Sequence, residues 1–264
     1  MDSRRPKTAL FRSTVFNHAP ARRCHTLFAT TKQGSRADGP PEIAKVISIS
    51  SLRDLPQPVL DRLMGGARVR EIPAGESIHE EGDEPFVALV VSGLIRAYIS
   101  APNGRTMTIR YCRPGSLMGT GTAFNTTSPM ARGNLTALVD SSVVAIHPAT
   151  LRRLAVRDIR VTRALLAETS ARVADYINEL RWSAFASLRQ RLARHLLDLA
   201  AERQSGREMV ARANQEELAA AVGTVREIVV RILHEMRAEG LVRTRRGAVE
   251  LLDPVRIELE TETR

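Results

Sequence analysis

The chain has 264 residues, of which 43% are hydrophobic, so it is long enough to bury a substantial core and to form two domains. No stretch approaches the roughly 18 uninterrupted apolar residues that a membrane-spanning helix needs, and the N-terminus lacks the apolar segment of a secretory signal. These absences make the cytoplasm the expected location and argue against a membrane partner. The formal net charge of +10 favours a polyanionic partner such as nucleic acid.

Positive charge is concentrated in residues 1–45, which hold nine Lys or Arg residues against three Asp or Glu residues. The lysines of the chain, Lys7, Lys32 and Lys45, all lie there. Together with the stretch KQGSRADGPPE, this composition predicts a disordered basic tail or translated sequence upstream of the true start. An organelle transit peptide, which is also rich in arginine and poor in acidic residues, is a further alternative.

Residues 46–160 are predicted to form a β-roll. From about Val69 to His147, short apolar runs with a two-residue alternation end at turn signals such as PAGE, PNG and PGS. The NGR triplet at 103–105 is a strong hairpin signal. Many short strands closing on themselves are typical of a small barrel or roll. The predicted strands are Phe86–Val91, Leu94–Ile99, Thr106–Tyr111, Asn134–Val139 and Ser142–His147.

After Pro148 the spacing of apolar residues changes from two to 3.6, the period of an α-helix. A short helix over PATLRRLAV is followed by one long helix at 161–187 without Pro or Gly. Its narrow apolar stripe favours a helix-to-helix seam, and its length of about 40 Å exceeds what a small roll could cover. We therefore expect a homodimer along this helix, with packing on its own domain as the alternative. The stripe consists of Val161, Leu165 or Leu166, Val173, Ile177, Leu180 and Ala184.

Residues 188–264 are predicted to form a winged helix-turn-helix. A helix over Leu188–Arg203 comes first. Asn214 and Glu217 then have the spacing of a capping box, which predicts the start of a short helix. Gly223 predicts a tight turn into a second helix.

The second helix is predicted to begin at Thr224, because Thr224 and Glu227 again have capping-box spacing. It ends before the glycine of AEGL, and LVRTRRGAVELL then predicts a basic two-stranded hairpin, the wing. Arg243 and Arg245 of the wing, with the neighbouring Arg246, are predicted to contact DNA phosphates.

These features, in this order, resemble the bacterial cyclic-AMP receptor protein / fumarate-nitrate regulator (CRP/FNR) family of transcription factors. The resemblance covers about Ile72 to Leu252 and rests on IPAGESI, EGD, VSGLIRAY and PGSLMG, on the long helix, and most specifically on QEELAAAVGTVREIVVRIL. It implies an α+β fold with an N-terminal cyclic-nucleotide-binding-like β-roll, a long dimerisation helix and a C-terminal winged helix-turn-helix. It also implies double-stranded DNA and RNA polymerase as partners.

The resemblance assigns DNA-binding roles to individual residues. In this family the second helix of the motif enters the major groove, and Arg226, Glu227 and Arg231 match its base-reading positions. Arginine can donate two hydrogen bonds to guanine O6 and N7, and glutamate can accept one from cytosine N4. A palindrome with a TGTGA-like half-site is therefore expected, rather than the TTGAT of the oxygen-sensing branch. Gln215 and Thr224, at the starts of the two predicted helices, are further expected contacts.

The effector site departs from the family pattern. In the family's cyclic-nucleotide site, a glutamate holds the ribose hydroxyl and an arginine neutralises the phosphate. The matching stretch here is MGTGTAFNTTSPMARGNLTAL, where Gly119 is retained, Thr120 replaces the glutamate and Arg132 lies near the arginine position. The polar pair that contacts the base falls at Tyr176 and Ile177. These departures disfavour cyclic AMP, although Gly119, Thr120, Arg132 and Tyr176 still define a candidate effector pocket.

Other effectors remain open. Haem is a possible effector only because histidine can bind iron, and the candidate ligands are His79, His147 and His195. The two cysteines, Cys24 in the tail and Cys112 in the roll, lack metal-ligand spacing, which argues against zinc and disfavours an iron–sulfur cluster. A different small ligand, or control by the amount of protein alone, is the remaining alternative.

Two other classes of function compete with a DNA-binding regulator. The sequence lacks a phosphate-loop glycine pattern, GxSxG, HExxH and paired carboxylates near a histidine in the predicted roll, which argues against an enzyme. A ligand-binding or interaction module without specific DNA binding is the stronger competitor. Site preference that persists at raised salt would separate a sequence-specific factor from such a module.

Overall fold

The computed structural model of the protein describes residues 41–80, 85–124, 133–201 and 209–261. Helix α1 (Pro41–Ser48) begins the described part, and its Ile43 and Val46 are buried in the core of the roll. The predicted boundary of the basic tail, between residues 45 and 46, therefore falls inside a helix and needs correction. The physical reason for the earlier boundary is that these two apolar residues, three positions apart, lie on one face of a helix and pack together into the core. The remainder of the predicted tail lies outside the described residues.

Two four-stranded antiparallel sheets form the β-roll in the described residues, and helix α2 (Gln57–Met64) precedes them. The strands are β1 (Arg68–Ile72), β2 (Ser77–His79), β3 (Val87–Ser92), β4 (Ile95–Ser100), β5 (Thr106–Cys112), β6 (Leu117–Met118), β7 (Asn134–Ala137) and β8 (Ser141–Ile146). Helix α3 (Thr120–Phe124) follows β6. One sheet has the order β1-β8-β3-β6 and the other β2-β7-β4-β5. The five predicted strands are confirmed, with ends displaced by one or two residues.

The central strands of the first sheet are buried on both faces. In β8, Val143 and Ala145 lie in the cluster between the two sheets, whereas Val144 and Ile146 pack against the surrounding helices. This division follows from the two-residue period of a strand, which sends alternate side chains to opposite faces. The roll therefore has two apolar layers. One lies between the two sheets, and the other lies between the first sheet and the helices that cover its outer face.

Two helices connect the roll to the C-terminal domain, as the change of period predicts. They are α4 (Pro148–Arg157) and α5 (Ile159–Phe185), the second of which has 27 residues. Val161 and Leu165 of α5 are buried against the roll, but the apolar residues of the predicted stripe from Leu166 onward are exposed. Across the described ranges, neither α5 nor another helix is both long and apolar enough to span a bilayer.

The C-terminal domain contains the predicted helix-turn-helix and wing. Its elements are α6 (Leu188–Ala201), β9 (Met209–Ala211), α7 (Gln215–Val222), α8 (Arg226–Ala238), β10 (Val242–Arg245), β11 (Ala248–Leu251) and α9 (Pro254–Thr261). Strand β9 and helix α9 were not predicted: β9 pairs with β11 to widen the wing sheet, and α9 packs on α6 through Ile257. These two elements close the core of the domain.

The roll holds the turn of the helix-turn-helix directly. Leu94, between β3 and β4, lies in the same buried cluster as the helices of the C-terminal domain. Arg96 Nη2 donates a hydrogen bond to the Ala220 carbonyl at 3.1 Å, and Arg105 Nη2 donates one to the Gly223 carbonyl at 2.7 Å. Carbonyls at a helix C-terminus lack partners within the helix, so these arginines satisfy groups that the helix leaves open. The β4–β5 hairpin thereby fixes the position of α7 and its turn.

Candidate nucleic-acid interface

The first helix of the motif begins at a complete capping box, as predicted. The Asn214 side chain accepts from the Glu217 backbone N–H at 2.9 Å, and the Glu217 carboxylate accepts from the Asn214 N–H at 2.7 Å. Two N–H groups that the helix cannot use are thus satisfied. This fixes the start of α7 at Gln215, whose side chain is half-buried.

The second helix begins two residues later than predicted. Gly223 adopts a left-handed backbone with φ of 75°, and the N–H groups of Gly223 and Thr224 both donate to the Ala219 carbonyl. Thr224 therefore closes the end of α7 and does not cap α8. Val225 is the N-cap residue of α8 and makes no side-chain cap hydrogen bond. The predicted capping box between Thr224 and Glu227 is wrong, because the turn uses the backbone of Thr224.

Helix α8 divides its residues between a buried and an exposed face. Val229, Ile232, Leu233 and Met236 are buried in the domain core. The three predicted base-reading side chains, Arg226, Glu227 and Arg231, are exposed on its first two turns. The structure thus brings these three residues together on the surface, at the N-terminal end of the helix.

Gln215 contacts one of the three predicted base readers. Its Oε1 accepts a hydrogen bond from Arg226 Nε at 3.3 Å. With Nε bound in this way, the N–H groups of the two terminal guanidinium nitrogens of Arg226 remain as donors. Two parallel donors are what a guanine edge requires.

The wing carries a carboxylate that the sequence analysis missed. Glu250 Oε2 lies 3.2 Å from Arg243 Nη1 and 2.7 Å from Arg245 Nη2. Two of the three predicted phosphate contacts of the wing are therefore paired with an acid in this conformation. The signal in the sequence was the alternation of RTR against AVEL, which places these side chains on one face of a hairpin.

A cleft of about 390 Å³ separates the helix-turn-helix from the wing. Gln215 and Arg226 line one side, and Arg245 and Arg246 line the other. Side chains from the start of α7, the start of α8 and the turn of the wing therefore face a common space. A polyanionic chain that followed this cleft would meet three guanidinium groups.

The candidate effector pocket is only partly in the described residues. Thr120 is buried at the start of α3, Tyr176 is exposed on α5, and Arg132 lies outside the described residues. A Cβ atom at Gly119 would collide with the Phe86 carbonyl, and its φ is 73°. The fold therefore requires glycine at this position whether or not a nucleotide binds.

Two arginines near this pocket were not found from the sequence. Arg110 Nη2 and Arg172 Nη2 donate to the Leu117 carbonyl at 3.0 and 2.6 Å. Arg172 also pairs with Glu168 at 2.5 Å. Arg172 lies one helical turn before Tyr176, and that spacing was the available signal. This region of the roll is cationic. The Nη2 atoms of both arginines are bound by groups of the chain, whereas Arg172 Nε is buried without a hydrogen-bond partner among the described residues.

The candidate haem ligands are dispersed. His79 is buried and stacks on Phe86, while the His147 ring accepts from the backbone N–H of Ala149 at 3.2 Å. His195 is buried beside Tyr111, with its Nδ1 3.2 Å from the hydroxyl oxygen. Among the described residues, no group of three His, Cys, Asp or Glu side chains could hold a metal ion.

The cysteine of the roll is also poorly suited to bind metal. Cys112 is buried, and burial raises the pKa of its thiol. A metal ligand must be a thiolate, which this environment disfavours.

Comparison with known families matches both halves of the chain. Residues 69–158 match the model of the cyclic nucleotide-binding domain, and residues 190–259 match that of the Crp-like helix-turn-helix domain. The two matched regions coincide with the β-roll and the helix-turn-helix described above.

Curated relatives and solved structures agree with these models. The transcriptional regulator LdrP of Thermus thermophilus is 32% identical over 193 residues, covering 70% of this chain and 92% of that protein. The cyclic AMP receptor protein of the same organism is 30% identical over 194 residues, covering 72% and 86%. A CRP/FNR regulator structure from Thermus thermophilus matches with a TM-score of 0.65 and 26% identity, covering 75% of this chain and 100% of that chain. A likeness to a Crp/Fnr regulator from Eubacterium rectale, with a TM-score of 0.70 and 22% identity over 79% and 95% of the chains, supports the fold. This chain belongs to the CRP/FNR family of DNA-binding transcriptional regulators.

Proposed function

We propose that the protein is a homodimeric transcription factor that binds a palindromic DNA site through α8 and responds to an effector at its β-roll. The observation that carries this proposal is the exposed group of Arg226, Glu227 and Arg231 on a helix whose opposite face is buried. If the exposed face of α8 served only to keep the protein in solution, it would not require two arginines and one glutamate at the N-terminal end of the helix, which is the end that reaches base edges. DNA recognition gives each of them a function.

The chemistry of these side chains favours a TGTGA-like half-site. Each arginine can donate to guanine O6 and N7, and the carboxylate of Glu227 can accept from cytosine N4. Glu227 is not used as a helix cap, so its carboxylate is available for this contact. Gln215 supports Arg226 by accepting from its Nε. Thr224 lies half-buried at the edge of this surface and is proposed as an additional contact.

The exposed stripe of α5 supports a dimer. Leu166, Val173 and Leu180 are spaced by seven residues and are 65%, 50% and 67% exposed. Ile177 and Ala184 each follow a member of this series by four residues, which completes the apolar pattern of a two-helix seam. Two copies joined along α5 would present two α8 helices to successive major grooves about 34 Å apart.

We propose that the effector is not cyclic AMP. Thr120 replaces the glutamate of the family pattern and Ile177 replaces one member of the polar pair. Gly119 is required by the packing on Phe86, so its retention does not support a nucleotide site. Another small ligand, or control by protein amount, fits these residues better. RNA polymerase remains the proposed protein partner of the DNA-bound dimer.

Selection of bound sequences from random duplexes tests the proposal. We expect an inverted repeat with TGTGA-like half-sites. Arg226→Ala should weaken binding by about 1–3 kcal/mol and relax preference at one base pair, because it removes a bidentate contact. Gel shifts at raised salt with competitor duplex measure this preference. If no palindrome is enriched, or if Arg226→Ala weakens all duplexes equally, the alternative of an interaction module without specific DNA binding is favoured.

A further inference from the structure

Three charged side chains share one face of the wing. Arg243 lies opposite Glu250 in the β10–β11 ladder, and Arg245 lies two residues further along the same strand. Because side chains alternate along a strand, Arg243, Arg245 and Glu250 project from the same side of the hairpin. Glu250 is only 7% exposed, although a lone ionised carboxylate is rarely buried so deeply.

The two arginines compensate the buried carboxylate. Arg243 Nη1 is 3.2 Å and Arg245 Nη2 is 2.7 Å from Glu250 Oε2. Removing both arginines from this carboxylate would leave a negative charge unpaired in a poorly hydrated position, which is costly. The carboxylate would also repel an approaching phosphate. Arg243 and Arg245 keep half or more of their side chains exposed, but each holds one guanidinium nitrogen on Glu250, so a phosphate contact by either would compete with an existing ion pair.

Arg246 differs from its two neighbours. It lies at the exposed turn of the wing, before Gly247, and among the described residues it has no acidic partner. Like Arg245, it lines the cleft that faces Gln215 and Arg226. Its guanidinium can thus neutralise a phosphate without breaking an existing ion pair.

We propose that Arg246 is the principal phosphate contact of the wing, and that Glu250 is a positioning residue that holds Arg243 and Arg245 against the sheet. This inference rests on DNA binding by the helix-turn-helix, but it does not depend on which base sequence is preferred. It narrows the expectation that Arg243, Arg245 and Arg246 all make phosphate contacts.

The salt dependence of DNA binding tests the assignment. Each phosphate that a protein neutralises contributes about 0.9 to the slope of log K against log salt concentration. Arg246→Ala in the full chain should lower this slope by about 0.9, and Arg245→Ala should lower it by less than half as much. Arg153→Ala, which removes the same charge from an exposed position of α4, is the matched control. Glu250→Gln should steepen the slope, because it releases two arginines toward the phosphates.

The outcomes separate the wing assignment from the proposed function. Equal slope changes for Arg245→Ala and Arg246→Ala would overturn the assignment, and so would an Arg246→Ala slope that matches Arg153→Ala. The comparison of the two arginine variants stands even if Glu250→Gln fails to fold, which circular dichroism would reveal. A random duplex can be used as the probe, so loss of site preference alone contradicts the proposed function and leaves the wing assignment standing. Absence of binding to any duplex contradicts both.

Discussion

At the scale of single residues, the buried His195 is expected to make the stability of the protein depend on pH. Burial lowers its pKa to about 3, and the positive charges of Arg194, Arg96 and Arg191 act in the same direction. A histidine in an unfolded chain titrates near 6.5. The folded protein therefore requires the neutral imidazole next to the Tyr111 hydroxyl.

The unfolding free energy should fall as the pH is lowered through this range. The folded pKa lies below the unfolded one, so the stabilisation is complete above about pH 6.5 and declines toward pH 3. Each pH unit well inside this window costs roughly 1 kcal/mol. Urea unfolding at several pH values should show a steeper decline for the natural protein than for His195→Gln, which cannot be protonated there. Glu179 and Asp198, whose pKa values burial raises, titrate in both proteins. If the unfolding free energies of the two proteins fell in parallel with pH, the pKa of His195 would not be lowered by folding.

At the scale of elements, the turn between α7 and α8 requires a left-handed backbone angle at Gly223. Gly223 has a φ of 75°, yet a Cβ atom there would come only to 3.9 Å from the Met107 side chain. This distance is an ordinary van der Waals contact, so the need for glycine comes from the backbone angle and not from a clash.

Gly223→Ala should destabilise the protein by about 1–2 kcal/mol, the cost of a left-handed angle for an ordinary residue. Gly223→Asn is the matched control, because asparagine adopts this conformation more readily. The free energies of urea unfolding distinguish the two variants. Equal costs would mean that side-chain packing, rather than the backbone angle, constrains this position.

The two predicted capping boxes show where sequence reasoning succeeds and fails for elements. Both have the same three-residue spacing, but only Asn214 and Glu217 form the cap. Thr224 cannot, because the Gly223 turn commits its N–H to the Ala219 carbonyl. Local spacing thus predicts an element, whereas its first residue depends on how the preceding helix ends.

At the scale of the whole molecule, the fold leaves the apolar stripe of α5 exposed from Leu166 onward. The sequence predicted a continuous stripe from Val161. The structure divides it: the first turns pack on the roll, and the residues from Leu166 onward face outward. Periodicity identifies an apolar face but does not tell which part of it a neighbouring domain covers.

Val173→Glu should shift the protein from dimer to monomer, because it places a charge at the centre of the proposed seam. Light scattering coupled to gel filtration measures this directly. Asn178→Glu, which adds the same charge on another face of α5, should leave the mass unchanged. A monomeric natural protein would contradict the proposed dimer, and a dimer that tolerates Val173→Glu would place the interface outside this stripe.

Other features required long-range contacts that no local pattern carries. Arg110 and Arg172 meet at the Leu117 carbonyl from different elements, and the pairing of Glu250 with two arginines became visible only with the register of the wing. The order of strands and helices and the exposed face of α8 followed from periodicity, because these depend on residues close in sequence.

The contact between the roll and the turn also affects how the protein can be dissected. Leu94 contributes to the core of the C-terminal domain. Arg96 donates to a carbonyl in the last turn of α7, and Arg105 donates to the carbonyl of Gly223 that follows it. A fragment that begins at α6 would lose this apolar neighbour and leave both carbonyls to water. A cut at the chain boundary between the domains therefore removes Leu94 from the core of the C-terminal domain. The two fragments are not expected to fold as independent units.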